Sequence, residues 1–259
     1  MNRKSLALTA LLSLLLLFAL IGCGSKDNTE QSTSETPKPA VAMDKSQAAN
    51  VSGVAKFQGT APKPTKIDMS QDPACKKAGG ENTTETVIAD DKGDLANVFV
   101  YVKAGAPDAN YEVPKDKVTI DQHGCRYHPH VLGVMAGQTV EIKNSDDTTH
   151  NIHPSPKDNK EWNESQPPKG ADLEKTFARQ EVLVPVKCNQ HPWMKMYIGV
   201  VKHPFFAVTD KDGKFEIKDL PAGDYTLAAV HEKYGEQTMK IHVEAKKDLK
   251  DQTFTFKAQ

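Results

Sequence analysis

From Asn50 onward, short β-branched or aromatic runs alternate with clusters of Gly, Pro, Asn and Asp, the punctuation of an all-β protein. Ser52 to Gly59 reads as a strand, followed by the loop-forming Thr60-Ala61-Pro62-Lys63-Pro64. A long irregular stretch containing Asp72-Pro73-Ala74-Cys75 and Gly79-Gly80 leads to a strand over Ala96 to Val102. Pro107 and Pro114 bracket a loop. Further strands are expected at Lys117 to Ile120, Val131 to Met135, Gln138 to Asn144 and Glu181 to Lys187. Toward the end, Phe205 to Leu227 reads as two strands joined by a hairpin at Asp212-Gly213, with Leu220-Pro221-Ala222-Gly223 turning into Tyr225 to Val230. Gln237 to Val243 and Thr253 to Phe256 continue that sheet. No amphipathic helix and no fixed-period repeat stands out.

The N-terminus has a different character. Met1-Asn2-Arg3-Lys4 is a short basic segment, and Leu6 to Ile21 is almost wholly apolar, which is the form of a secretory signal. Leu20-Ile21-Gly22-Cys23 resembles the lipobox of bacterial lipoproteins, and the resemblance implies a signal peptide over 1–22, cleaved after Gly22, with Cys23 lipidated. A retained transmembrane anchor is the alternative, the run being just short of the ~20 residues a span needs. Residues 23–49 begin with a polar run lacking any hydrophobic seed, a disordered tether. Both routes put the rest of the chain in an oxidising compartment, the bacterial envelope facing the periplasm or exterior. Which membrane holds the anchor stays open.

Composition adds bounds. The chain has 259 residues, 38% of them hydrophobic, and a net charge of −1; removing Arg3 and Lys4 with the signal leaves −3. That is room for one large or two small domains, and no basic face of the kind nucleic acid needs is evident. Of four cysteines, Cys23 is assigned to lipid. Cys75 and Cys125 form the expected disulfide of an exported protein, a closed loop of about 50 residues contributing about 4 kcal/mol in the chain-entropy model.

The fourth, Cys188, opens the most chemically loaded stretch, Cys188-Asn189-Gln190-His191-Pro192-Trp193-Met194-Lys195-Met196, at the end of an alternating strand. A cysteine, two histidines and a weak axial methionine form the ligand set of blue copper sites. The second histidine is supplied upstream by Asp147-Thr148-Thr149-His150-Asn151-Ile152-His153. Met194 and Met196 both remain candidates for the axial sulfur, Met194 preferred. A disulfide from Cys188 to Cys75 or Cys125 would abolish the site. His153 is expected as a buried or hydrogen-bonded strand residue, and His128-Pro129-His130 as surface histidines.

Two resemblances organise these pieces. Val134 to Asn144, then His150-Asn151-Ile152, then Cys188 to Met194 resemble the cupredoxins over roughly residues 115 to 206, the Cys-x-x-His-Pro-aromatic-Met loop being similar to that of amicyanin. The resemblance implies His150, Cys188, His191 and Met194 as ligands of one type 1 copper. Asn151 would bond across to the cysteine loop, Pro192 would stiffen it, and Trp193 would lie at an apolar rim. The Asp-Gly turn followed by Leu-Pro-x-Gly-x-Tyr resembles the carboxypeptidase regulatory-like, transthyretin-like β-sandwich. The usual opening strands of that module lie near Gly53 and Val98 instead of before Phe205.

The expected architecture is therefore all-β: a cupredoxin-like Greek-key sandwich (113–202) inserted into a transthyretin-like sandwich made of 50–112 and 203–259. The expected function is single-electron transfer by a membrane-anchored copper protein. Its expected partners are extracytoplasmic redox proteins such as a c-type cytochrome or a membrane oxidoreductase. Copper binding or delivery, or adhesion, without electron transfer is the alternative. Enzymatic activity is not expected, because an oxidase or reductase would need another copper with an open position and the histidines for it.

Overall fold

The computed structural model describes residues 45–78 and 82–258; the expected signal peptide, Cys23 and most of the expected tether lie outside the described residues. Among the described residues no helix is long and apolar enough to cross a membrane. The chain is all-β, with a single α-helix, α1 (Pro73–Ala78), among the described residues. In chain order the strands are β1 (Ala49–Gln58), β2 (Phe99–Ala104), β3 (Val118–His123), β4 (Arg126–His128), β5 (Val131–Met135), β6 (Val140–Asn144), β7 (His150–Pro154) and β8 (Glu164–Gln166). They continue as β9 (Leu173–Lys175), β10 (Glu181–Lys187), β11 (Lys195–Val201), β12 (Phe206–Val208), β13 (Lys214–Leu220), β14 (Gly223–His231), β15 (Gly235–Val243) and β16 (Leu249–Lys257).

These strands form four sheets, ordered β13-β1-β16, β12-β2-β14-β15, β5-β11-β10-β7-β8 and β4-β3-β6-β9. The first two draw on both ends of the chain. Period-2 alternation then decides which faces meet. Val51, Ala55, Phe215 and Phe254 of the first sheet pack on Val100, Val102, Leu227 and Ile241 of the second, forming one core. Ile120, Tyr127 and Ile142 of the fourth sheet pack on Val134, Ile152, Val186 and Ile198 of the third, forming another. The opposite faces of the middle sheets meet as well, through Phe99, Tyr101 and Ala228 against Val131 and Val201. Alternate residues of β2 and β11 thus serve two cores each, which is why both strands read as nearly continuous apolar runs.

Three sequence expectations fail here. The Asp212-Gly213 turn forms, with Gly213 at φ +67° and its N–H on Asp210 O at 3.0 Å, but it does not close a hairpin. β12 pairs with β2, β13 pairs with β1, and the turn carries the chain from one sheet to the other. Thr209 sits at the split: its side chain donates to Leu95 O and accepts from Val98 N–H, tying the end of β12 to the segment that leads into β2. Likewise β15 and β16 do not continue one sheet: β15 pairs β14 and β16 runs parallel to β1. The third failure is His130. It is buried, at 8% exposure, because β5 packs against the second sheet and carries His130 under the β14–β15 turn, where its Nε2 meets Glu232 at 2.5 Å. His128 is exposed.

The seam between the middle sheets is shaped by two glycines. Gly133 and Gly199 face each other across β5 and β11, and the Phe99 ring lies over them; a Cβ on Gly199 would stand 2.6 Å from that ring. Phe99 is fully buried and has nowhere to swing. Gly199→Val is therefore expected to destabilise the fold by at least about 1–3 kcal/mol, the cost of overpacking. Urea unfolding measures it; an unchanged midpoint would mean that the two middle sheets do not meet through this contact.

Candidate metal centre

The centre is built at one end of the third sheet. β10 and β11 are antiparallel neighbours with Val186 opposite Met196 and Lys187 opposite Lys195, so residues 188–194 form the loop between them. That loop is tightened by Cys188 N–H on Met194 O at 3.2 Å and Met194 N–H on His191 O at 2.9 Å. On its other side β10 pairs β7, with Lys187 opposite His153, which brings His150 at the head of β7 beside the loop. Asn144 fixes the approach to His150: its amide donates to Thr148 O, Gln166 O and Pro167 O.

The result is a buried cluster. His150, Cys188 and His191 are 0%, 2% and 4% exposed, and their ligand atoms all lie within 4.8 Å of one another. His150 Nδ1 is 2.9 Å from His191 Nδ1, and Cys188 Sγ is 3.7 Å from His191 Nδ1. Cys188 is unpaired, whereas Cys75 and Cys125 are joined by a disulfide. Burial alone would raise the Cys188 thiol, but its hydrogen bonds with His150 and with backbone N–H groups of Asn151, His191 and Gln190 bring it down to about 6. A thiolate at neutral pH is thus favoured, and a thiolate with two imidazole nitrogens suits a borderline-to-soft transition metal.

Met194 and Met196 are both buried and belong to the same core as Cys188. Met196, opposite Val186, lies on the core face of the β10–β11 pair. Asn151 Oδ1 sits 3.3 Å from Cys188 Sγ and accepts from Asn189 N–H at 2.7 Å, while its amide donates to Asn163 Oδ1. Pro192 is exposed. Trp193 is half-buried, packs its ring 5.2 Å from that of His191 and donates to Cys125 O at 3.1 Å. His153 is a half-buried strand residue bonded to Glu161 and Asn189, apart from the cluster.

Two carboxylates complete the surroundings. Asp146 Oδ2 lies 2.8 Å from His150 Nε2 and also accepts from Cys125 N–H, while Oδ1 accepts from Gly124 N–H. Asp72 Oδ2 lies 3.1 Å from His191 Nε2, and its Oδ1 accepts from Ala74 and Cys75 N–H, capping α1. Burial opposes ionisation of Asp72, yet the Cys75 N–H, His191, Thr148 and Ala74 bonds together hold its carboxyl down at about 2. For His150, burial pushes downward but Asp146 and Cys188 outweigh it and hold the ring above its ordinary value. Sequence reasoning missed Asp72 and α1, although Asp-Pro is an N-cap followed by the residue favoured at the first helical position.

A profile for the family described as ER membrane protein complex subunit 7, beta-sandwich domain, matches residues 185–258. No curated protein matches the chain. Among solved structures, similarity extends to a copper-containing nitrite reductase from Thermus scotoductus SA-01, with 24% identity, TM-score 0.31, 38% of this chain and 25% of that one. The chain thus spans about a quarter of the length of that reductase. A mutant of amicyanin in the Cu(I) form is 21% identical, with TM-score 0.30, over 39% of this chain and 97% of that one. A purple cupredoxin from Nitrosopumilus maritimus is 23% identical, with TM-score 0.28, over 32% and 98%. At these values the likenesses carry nothing about chemistry, which rests on the residues above.

Replacing Asn151 by Ala leaves the Asn189 N–H without its acceptor and removes the anchor beside Cys188. The expected cost to the metal-free protein is about 1–3 kcal/mol. Denaturant unfolding checks this, and a loss within error of zero would show that Asn151 does not hold the loop.

Proposed function

We propose that this chain is a membrane-tethered copper protein that passes single electrons between redox partners outside the cytoplasm. The observation that carries the reading is the convergence of Cys188 Sγ and the Nδ1 atoms of His150 and His191 in a buried pocket, with Met194 closing the same loop. His150, Cys188 and His191 would hold the ion, and Met194 would supply a further, weak sulfur donor. When bound, copper supplies a one-electron couple.

The chain's own contribution is rigidity and exclusion of water. Strand pairing and the Asn151 bridge fix the loop, and burial of the donors keeps solvent from competing for the ion. A site that keeps one shape in both oxidation states exchanges electrons with little rearrangement, which favours a carrier over an enzyme. The lipid-modified Cys23 would tether the domains to the envelope, within reach of a c-type cytochrome or a membrane oxidoreductase. Copper delivery without electron transfer is the competing reading, and the near-complete burial of the donors argues against free exchange.

Loading the detergent-solubilised chain with Cu(II) is expected to give intense thiolate charge-transfer absorption that disappears in Cys188→Ser. A colourless loaded protein would refute the blue-copper reading. Met194→Leu is expected to change the Cu(II) hyperfine pattern, whereas Met196→Leu leaves it intact and costs less than about 1.5 kcal/mol in packing. The opposite result moves the sulfur-donor role to Met196.

The shared sheets of β1 and β2 with β12–β16 support reading residues 113–202 as a sandwich inserted into a second one formed by 50–112 and 203–259. On that reading, residues 203–259 lack β1 and β2 and do not fold alone. Limited proteolysis yielding a stable 203–259 fragment would overturn the insertion.

A further inference from the structure

The carboxylates at the two histidines are the feature that the copper reading does not absorb. Asp72 lies 119 residues from His191 in the chain, and Asp146 four residues before His150, yet each meets the Nε2 of one ring, while the two Nδ1 atoms meet at 2.9 Å and that of His191 lies 3.7 Å from Cys188 Sγ. We propose that Asp72 and Asp146 are positioning residues of the metal centre: each accepts the Nε2 proton of one histidine, so both rings present Nδ1 to the ion.

The chemistry is restrictive. An ionised carboxylate only accepts hydrogen bonds, so a ring nitrogen facing it must carry the proton. That assigns Nε2–H to both rings and leaves Nδ1 as the ligating atom. It also places two negative charges behind the imidazoles, which makes them better donors and favours Cu(II) over Cu(I).

The surrounding structure is built to hold both carboxylates in place. Asp72 caps α1, and Cys75 on that helix is bonded to Cys125. Cys125 sits with Gly124 in the two-residue turn between β3 and β4, both at positive φ, and this turn aims the two N–H groups at the Asp146 carboxylate. Cys125 O then accepts from Trp193 of the metal loop. A single disulfide therefore joins the element carrying Asp72 to the turn gripping Asp146. Thr148, two residues before His150, donates to Asp72 and closes the ring of contacts.

The proposal rests on the copper reading for its effect on the ion, but not for its effect on the rings. The test uses Asp72→Asn and Asp146→Asn in the full chain. Asn serves as well as Asp as a helix cap, so α1 survives the first change. In the metal-free wild-type protein, ¹H–¹⁵N NMR is expected to show a protonated Nε2 on both His150 and His191. Asp72→Asn should shift only the His191 signal, and Asp146→Asn only that of His150. In the copper-loaded protein each variant should keep the thiolate absorption while Cu(II) affinity falls about 10- to 100-fold relative to Cu(I). A tenfold change corresponds to a rise of about 59 mV in potential.

Unchanged potentials in both variants, or a bare Nε2 on either ring, would overturn the proposal. If the wild-type protein takes up no copper, the copper reading has failed, and the ring protons alone decide whether the carboxylates position the histidines.

Discussion

Two imidazole nitrogens held 2.9 Å apart beside a thiol, all three groups buried, form an arrangement that a chain keeps only when its surroundings enforce it. Polar groups in such a place would otherwise turn away or draw in solvent. Here β7 and β10 are locked side by side, the 188–194 loop is stitched to itself, and Asn151 ties the head of β7 to the loop. The outer nitrogen of each ring is taken up by a carboxylate. The donor geometry is therefore a property of the assembled sandwich and not of the Cys-x-x-His-x-x-Met segment.

The rest of the fold serves that constraint from a distance. The third sheet is sandwiched, one face forming the core that contains Cys188 and the other resting on Phe99 and Tyr101 of the second sheet. The glycines at 133 and 199 make that rest close. The long connection between β1 and β2 also reaches the centre. It leaves the first sheet, places Met69 and Cys75 in the second core, pairs Glu85 with Arg126, and sets Asp72 on His191. A segment that reads as irregular is thus the outer wall of the site.

What the sequence made legible follows from the range of each signal. Alternation located most strands, because burial on one face leaves a period-2 trace. Cys188 and His191 announced themselves by spacing within one loop, and His150 by its place downstream of a strand. The Asp212-Gly213 turn misled because a local turn signal says that the chain reverses, not which neighbour each strand then pairs with. Here Thr209 holds β12 on one sheet while β1 takes β13 on the other. Asp72 was invisible for a related reason. A six-residue helix leaves no periodic pattern, and its contact with His191 spans 119 residues. His130 looked exposed because its burial comes from the packing of one sandwich on the other.

The proposed function stands on Cys188, His150 and His191 binding one copper ion together. X-ray absorption at the copper edge of the loaded full-length protein tests it most directly, because it counts the donors around the ion whatever the protein does with electrons. Two nitrogen donors and one short sulfur donor are expected, the sulfur being lost in Cys188→Ser. A first shell made only of nitrogen and oxygen in the wild-type protein would contradict it.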